Sequence, residues 1–205
     1  MHLHPYDGAR RETLAPDPCA VAVRAVRAAC PGIPVSLTTS AAIVTDPRER
    51  FDLVAGWLVT ANQGEAGIGE LCRHLVGRGV GVEAGLLCLA DAETFVRSGL
   101  ADHCVRALVE PLDADPDDAV AHADAIEEVL ARAGIPLEQV HHGDGVASWA
   151  VARRAVERGH GIRTGLEDTT VLPDGRPAAG NAALVRAAAA MMAIPFSKTP
   201  GQRDF

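Results

Sequence analysis

Two short stretches at opposite ends of the chain carry residue types that can do chemistry. Gly161 to Asp168 places Arg163 four and five residues before Glu167 and Asp168, directly after an apolar step, with Gly165 between them where the chain can turn. In a parallel α/β protein, charged residues just past the end of a strand lie at the mouth of the sheet, where ligands bind. At the other end, His2 and His4 are two residues apart. On a strand that spacing aims both imidazoles at one face, so both can reach one ion, and Glu167 is a candidate third ligand.

The elements that must position these residues alternate along the chain. Met1 to His4 reads as a strand end, followed by a polar turn from Pro5 to Arg11. Asp17 to Cys30 has the apolar spacing of a helix and is stopped by Pro31 and Gly32. Pro34 to Thr38 is a strand running into Thr39 and Ser40. A short helix with exposed Arg48, Glu49 and Arg50 is expected over Pro47 to Val54, and a β-prone run over Gly56 to Ala61 ends in Asn62, Gln63, Gly64 and Glu65. A helix from Ala66 to Val76 follows, closed by Gly77 and Gly79.

Val80 to Val82 is the fourth strand, with Glu83 at its tip. Asp91 to Ser98 is a helix, and Cys104 to Val109 a strand ending in Glu110. An acidic helix start at Asp113 to Asp118, favourable to the dipole, leads to Ala133. Leu137 to His141 is a strand that ends in His142, and Ser148 to Glu157 a helix ended by Gly159. The Arg163 strand comes next, then an Ala-rich helix from about Ala178 to Ala193, and residues 196–205 read as a C-terminal tail. Strict alternation of strand and helix implies a parallel sheet with helices outside it, and its length favours a barrel over an open sheet. Each expected strand ends in polar residues, as a barrel active site requires.

Composition sets the outer limits. A chain of 205 residues can bury one substantial core and is expected to form a single domain, 1–205. No apolar run approaches the roughly 18 to 20 residues of a membrane span, and the N-terminus has no export signal, so a cytoplasmic protein is expected. A net charge of −8 with no Lys/Arg run argues against a nucleic-acid surface. The five cysteines, Cys19, Cys30, Cys72, Cys88 and Cys104, form no C-x-x-C pair and read as small core residues in a reducing compartment.

The ordered set His2-Leu3-His4-Pro5, Gly81 to Leu86, His142-Gly143 with Trp149, Arg163 to Asp168 and Asn181 to Val185 resembles the beta-keto acid cleavage enzymes, the 3-keto-5-aminohexanoate cleavage family. The resemblance implies an α/β fold of the (β/α)8 TIM-barrel type. It implies one divalent metal, usually Zn2+, held by His2, His4 and Glu167, with acetyl-CoA as co-substrate and a homo-oligomer, a tetramer, as the assembly. The reaction it implies joins a beta-keto acid to acetyl-CoA and splits the keto acid, giving acetoacetate and a new acyl-CoA. Arg163 and Asp168 then serve deprotonation and carbon–carbon cleavage, and Thr38, Thr39, Ser40, Asn62, Glu83 and His142 hold the substrate.

This sequence departs from the family pattern in three places. Members carry a strand and helix before the His-x-His strand, so seven βα units rather than eight are expected here. The stretch from Trp57 to Asn62 is short, and Tyr6 stands where an Arg is common. Arg11, Arg48, Arg50 and Arg186 are the loose candidates for a CoA phosphate tail. Two other readings use the same residues: a different metal-dependent barrel aldolase or hydrolase, and a truncated, inactive relative that survives by pairing with another subunit. Arg163 with Glu167 or Asp168 is also open to a structural role as an ion pair, and Thr38 to Ser40 to one as caps.

Overall fold

The computed structural model describes residues 1–53 and 58–193. The start of the β-prone run at Gly56 and Trp57, the end of the short helix at Val54 and the expected tail over 196–205 lie outside them. The strands are β1 (His2–Leu3), β2 (Ser36–Thr38), β3 (Leu58–Asn62), β4 (Val82–Leu86), β5 (Arg106–Val109), β6 (Gln139–His141) and β7 (Gly161–Ile162). Between and after them run α1 (Pro16–Ala29), α2 (Pro47–Leu53), α3 (Ile68–Gly77), α4 (Leu89–Ser98), α5 (Pro116–Arg132), α6 (Ser148–Glu157) and α7 (Asn181–Ala193). The strands follow one another in chain order in a seven-stranded sheet. That order, with a helix after each strand, is the pattern of a (β/α)8 barrel of which seven βα units are present.

Two compact units are distinguished: Met1–Glu110 with Asp124–Gln139, and Pro111–Ala123 with Val140–Phe205. In the first, β1 to β5 pair in parallel, with His2 opposite Ser36, Thr38 opposite Thr60, and Thr60 opposite Glu83, which in turn stands opposite Arg106. Cys19 and Val23 of α1 pack on Val35 and Leu37, with Leu3 and Val26 at the edge. The helix forms because its apolar residues recur on one stripe, Pro16 presets its first turn and Asp17 opposes the dipole.

In the second unit β6 pairs with β7, His141 opposite Ile162. Trp149 and Ala152 of α6 pack on Leu184 and Ala188 of α7, with Ile162 and Leu172 against them. Helix α6 has the expected bounds. Its end is set by Gly159, whose φ of 83° only glycine adopts without strain.

Two expectations about position are corrected. Glu83 is not at a strand tip: β4 runs on through the apolar and small residues to Leu86, which leaves Glu83 second in the strand and buried. Arg50 is not exposed. It is fully buried, because its guanidinium donates to Thr39 O at 2.8 Å and to Ala66 O at 3.3 Å and pairs with Glu65. A buried guanidinium held by two carbonyls and a carboxylate is a structural cation and is no candidate for a CoA phosphate.

Candidate functional site

In the first unit the short strand β1 brings the two histidines together. His2 Nε2 and His4 Nε2 stand 3.1 Å apart, with the ring planes at 73°. Each ring is held from its other nitrogen. His2 Nδ1 meets Thr60 Oγ1 at 3.2 Å, and His4 Nδ1 meets Glu12 Oε2 at 3.3 Å. With the Glu12 carboxylate as acceptor, His4 donates from Nδ1, and in the neutral tautomer that does so the lone pair is at Nε2. Two imidazole lone pairs that close repel unless a proton or a cation lies between them. Nitrogens bound to zinc at about 2.0–2.1 Å with tetrahedral angles stand roughly 3.3 Å apart, so the observed spacing suits a pair of ligands.

Behind the histidines a buried polar layer crosses the strands. Thr60 Oγ1 lies 3.2 Å from Ser36 Oγ and donates to Glu83 Oε2 at 3.1 Å, and Ser36 Oγ also donates to Glu83. Arg106 Nε donates to Glu83 Oε1 at 2.7 Å. Glu83 thus accepts from Ser36, Thr60 and Arg106, which is how a carboxylate is kept inside a sheet. Ser36, Thr60 and Arg106 are absent from the set expected from sequence. The available signal was the period-two spacing of Ser36 with Thr38 and of Thr60 with Asn62, which puts the earlier residue of each pair on the same face as the later one.

The other candidates of this unit take several roles. Thr38 Oγ1 accepts the Ser40 amide at 3.1 Å, and Ser40 Oγ accepts the Ala42 amide at 3.2 Å, both local turn bonds. Thr39 Oγ1 donates to Thr60 O at 2.8 Å and so ties β2 to β3. Asn62 stands opposite Gly85, where any side chain would strike the Asn62 amide; that glycine leaves room for it.

In the second unit the backbone of Arg163 continues the ladder, its amide donating to His141 O at 3.0 Å. Its guanidinium Nη2 lies 3.4 Å from Asp168 Oδ1 and 3.6 Å from Glu167 Oε2. His142, directly after β6, holds the same Asp168 oxygen from Nδ1 at 3.2 Å, and both side chains are buried. Burial pushes the Asp168 carboxyl up, but the His142 hydrogen bond and the charges of His142 and Arg163 outweigh it and hold its pKa below the usual carboxylate value.

The loop carrying these groups is pinned by its backbone. Gly145 N donates to Asp168 O at 2.7 Å, and Ser148 Oγ donates to Gly143 O and Asp168 O at 3.0 Å each. Asn181, at the start of α7, accepts the Leu166 amide at 2.8 Å. Ser148 and Asn181 position the loop, and spacing alone could not assign them that task because their partners are 20 and 15 residues away.

Residues 86–195 match the model of the beta-keto acid cleavage enzymes. The chain belongs to that family. Among solved structures it is similar to the apo structure of ObcA, with a TM-score of 0.68, 18% sequence identity and 92% of this chain covered. The chain spans 56% of the length of ObcA, and at that identity the likeness speaks for the fold. A sequence comparison with curated proteins gives no match. No helix among the described residues is long and apolar enough to cross a membrane.

Proposed function

We propose that this member of the beta-keto acid cleavage family acts on a beta-keto acid with acetyl-CoA, giving acetoacetate and a new acyl-CoA, with His2, His4 and Glu167 as ligands of one divalent metal. The observation that carries the metal is the facing pair of Nε2 atoms, each ring fixed through Nδ1 by a protein partner. Two imidazoles and one carboxylate are the donor set of catalytic zinc sites, which leave positions open for substrate oxygens. A divalent ion held there supplies Lewis-acid polarisation of a carbonyl and stabilises enolate charge.

The chain's own residues supply the rest. Arg163 faces two carboxylates with its guanidinium, and a guanidinium's five N–H donors let it serve a substrate carboxylate or a developing oxyanion as well. Asp168 stays ionised at neutral pH, so it can take a proton, although its lowered pKa makes it a weak base. Its proton transfer must therefore rest on closeness to the substrate. His142, hydrogen-bonded to Asp168, orients that carboxylate. Thr38, Thr39, Ser40, Asn62, Glu83 and His142 remain the proposed substrate contacts, with Glu83 held in place by Arg106. The proposal includes a homo-tetramer in the cytoplasm.

An assay following acetoacetate formation from a panel of beta-keto acids tests this. Turnover that requires acetyl-CoA and is lost in Arg163→Ala by 100-fold or more is the expected result. Turnover of a keto acid without acetyl-CoA would instead support an aldolase or hydrolase using the same residues.

A further inference from the structure

Glu12 lies outside every motif that marks the family resemblance, yet it is bonded to one of the two histidines. Its carboxylate spans two side chains: Oε2 lies 3.3 Å from His4 Nδ1, and Oε1 accepts from Tyr6 OH at 3.1 Å. The backbone brings it there. Glu12 and Tyr6 form an antiparallel bridge, Thr13 N donates to Pro5 O at 2.9 Å, and Asp7 N donates to Arg11 O at 2.9 Å. At the tip of this hairpin Arg10 adopts φ 61°, and Asp7 Oδ1 accepts the amides of Ala9 and Arg11 at 2.8 and 3.0 Å. The segment from Pro5 to Thr13 is therefore a built hairpin that returns Glu12 to the His4 ring.

The two histidines are supported unequally. His2 Nδ1 meets a neutral hydroxyl, whereas His4 Nδ1 meets a carboxylate. A carboxylate behind a metal-ligating imidazole fixes the tautomer, holds the ring plane and makes the outward nitrogen more basic. Tyr6 occupies the second carboxylate oxygen and so keeps Glu12 from turning to solvent, an effect that matters because the Glu12 side chain is 38% exposed.

We infer that Glu12 is a positioning residue for the metal site, setting the Nε2 lone pair of His4 toward the ion, with Tyr6 holding Glu12 in place. The inference rests on the metal reading above, but it can fail alone.

Affinity for Co2+ or Zn2+, measured on the full chain by competition with a chromophoric chelator at fixed pH, separates the cases. Glu12→Ala should weaken binding by about 10–100-fold. Glu12→Gln keeps an acceptor oxygen without the charge, and should fall between the wild type and Glu12→Ala. The visible absorption of bound Co2+ should shift in Glu12→Gln, which a role confined to hairpin folding would not produce. His4→Ala is the control and should lose binding further. Wild-type affinity and an unchanged Co2+ spectrum in Glu12→Gln and Glu12→Ala, with binding lost in His4→Ala, would overturn the role of Glu12 alone. Unchanged binding in His4→Ala would overturn the metal reading and this inference together.

Discussion

In the first unit Glu83 and Arg106 stand in register on adjacent strands, and Ser36 and Thr60 supply further hydrogen bonds to the carboxylate. In the second unit Arg163, Glu167 and Asp168 sit on the loop beyond β7, where the guanidinium meets the two carboxylates at 3.4 and 3.6 Å. The Glu83 side chain is 6% exposed and that of Glu167 is 51% exposed. Charges fixed by strands at short range are part of the sheet's own stability. Charges carried on a loop, pinned through its backbone by Ser148 and Asn181, keep donor capacity to spend on a ligand.

The largest effect that tests this contrast is on folding. Glu83→Ala leaves Arg106 without its buried partner and should cost about 3–5 kcal/mol in denaturant unfolding. Arg163→Ala should cost less than that, since its contacts are longer, at 3.4 and 3.6 Å, and Asp168 keeps His142 as a partner. Equal losses in the two variants would remove the distinction between the strand-held and loop-held charges.

A smaller effect sharpens the description of the first unit, where all five cysteines lie. Burial, with the neighbouring Cys72, pushes the Cys104 thiol up to about 12, while Cys88 is exposed. The thiolate is the reactive form, and raising the pKa removes it at neutral pH. In the native protein at pH 8, alkylation followed by mass spectrometry should label Cys88 first. Cys104 labelling should stay slow and go on rising between pH 8 and 10 without levelling. Early, pH-independent labelling of Cys104 would mean that this part of the unit opens readily.

Much of the architecture was legible because its signals are local. The bounds of α6 follow from Ser148 and Gly159, and the shared face of His2 and His4 follows from the alternation of side chains along a strand. Glu83 was misplaced because Val80 and Gly81 look like the body of a strand. The strand continues through Ala84 and Gly85, and glycine at 85 leaves the room that the Asn62 side chain takes. Arg50 looked like part of a solvated charge run. Its partners, Thr39 and Glu65, lie 11 and 15 residues away, and only the fold brings them to it. Glu12 was passed over for a related reason: in a polar turn nothing in the sequence marks which carboxylate returns to a histidine.

Purified, unmodified protein should carry close to one equivalent of a divalent transition metal by elemental analysis, His4→Ala should carry almost none, and Arg163→Ala should keep it while losing turnover. Folded wild-type protein that carries no metal and binds none when Zn2+ or Co2+ is supplied would contradict the account.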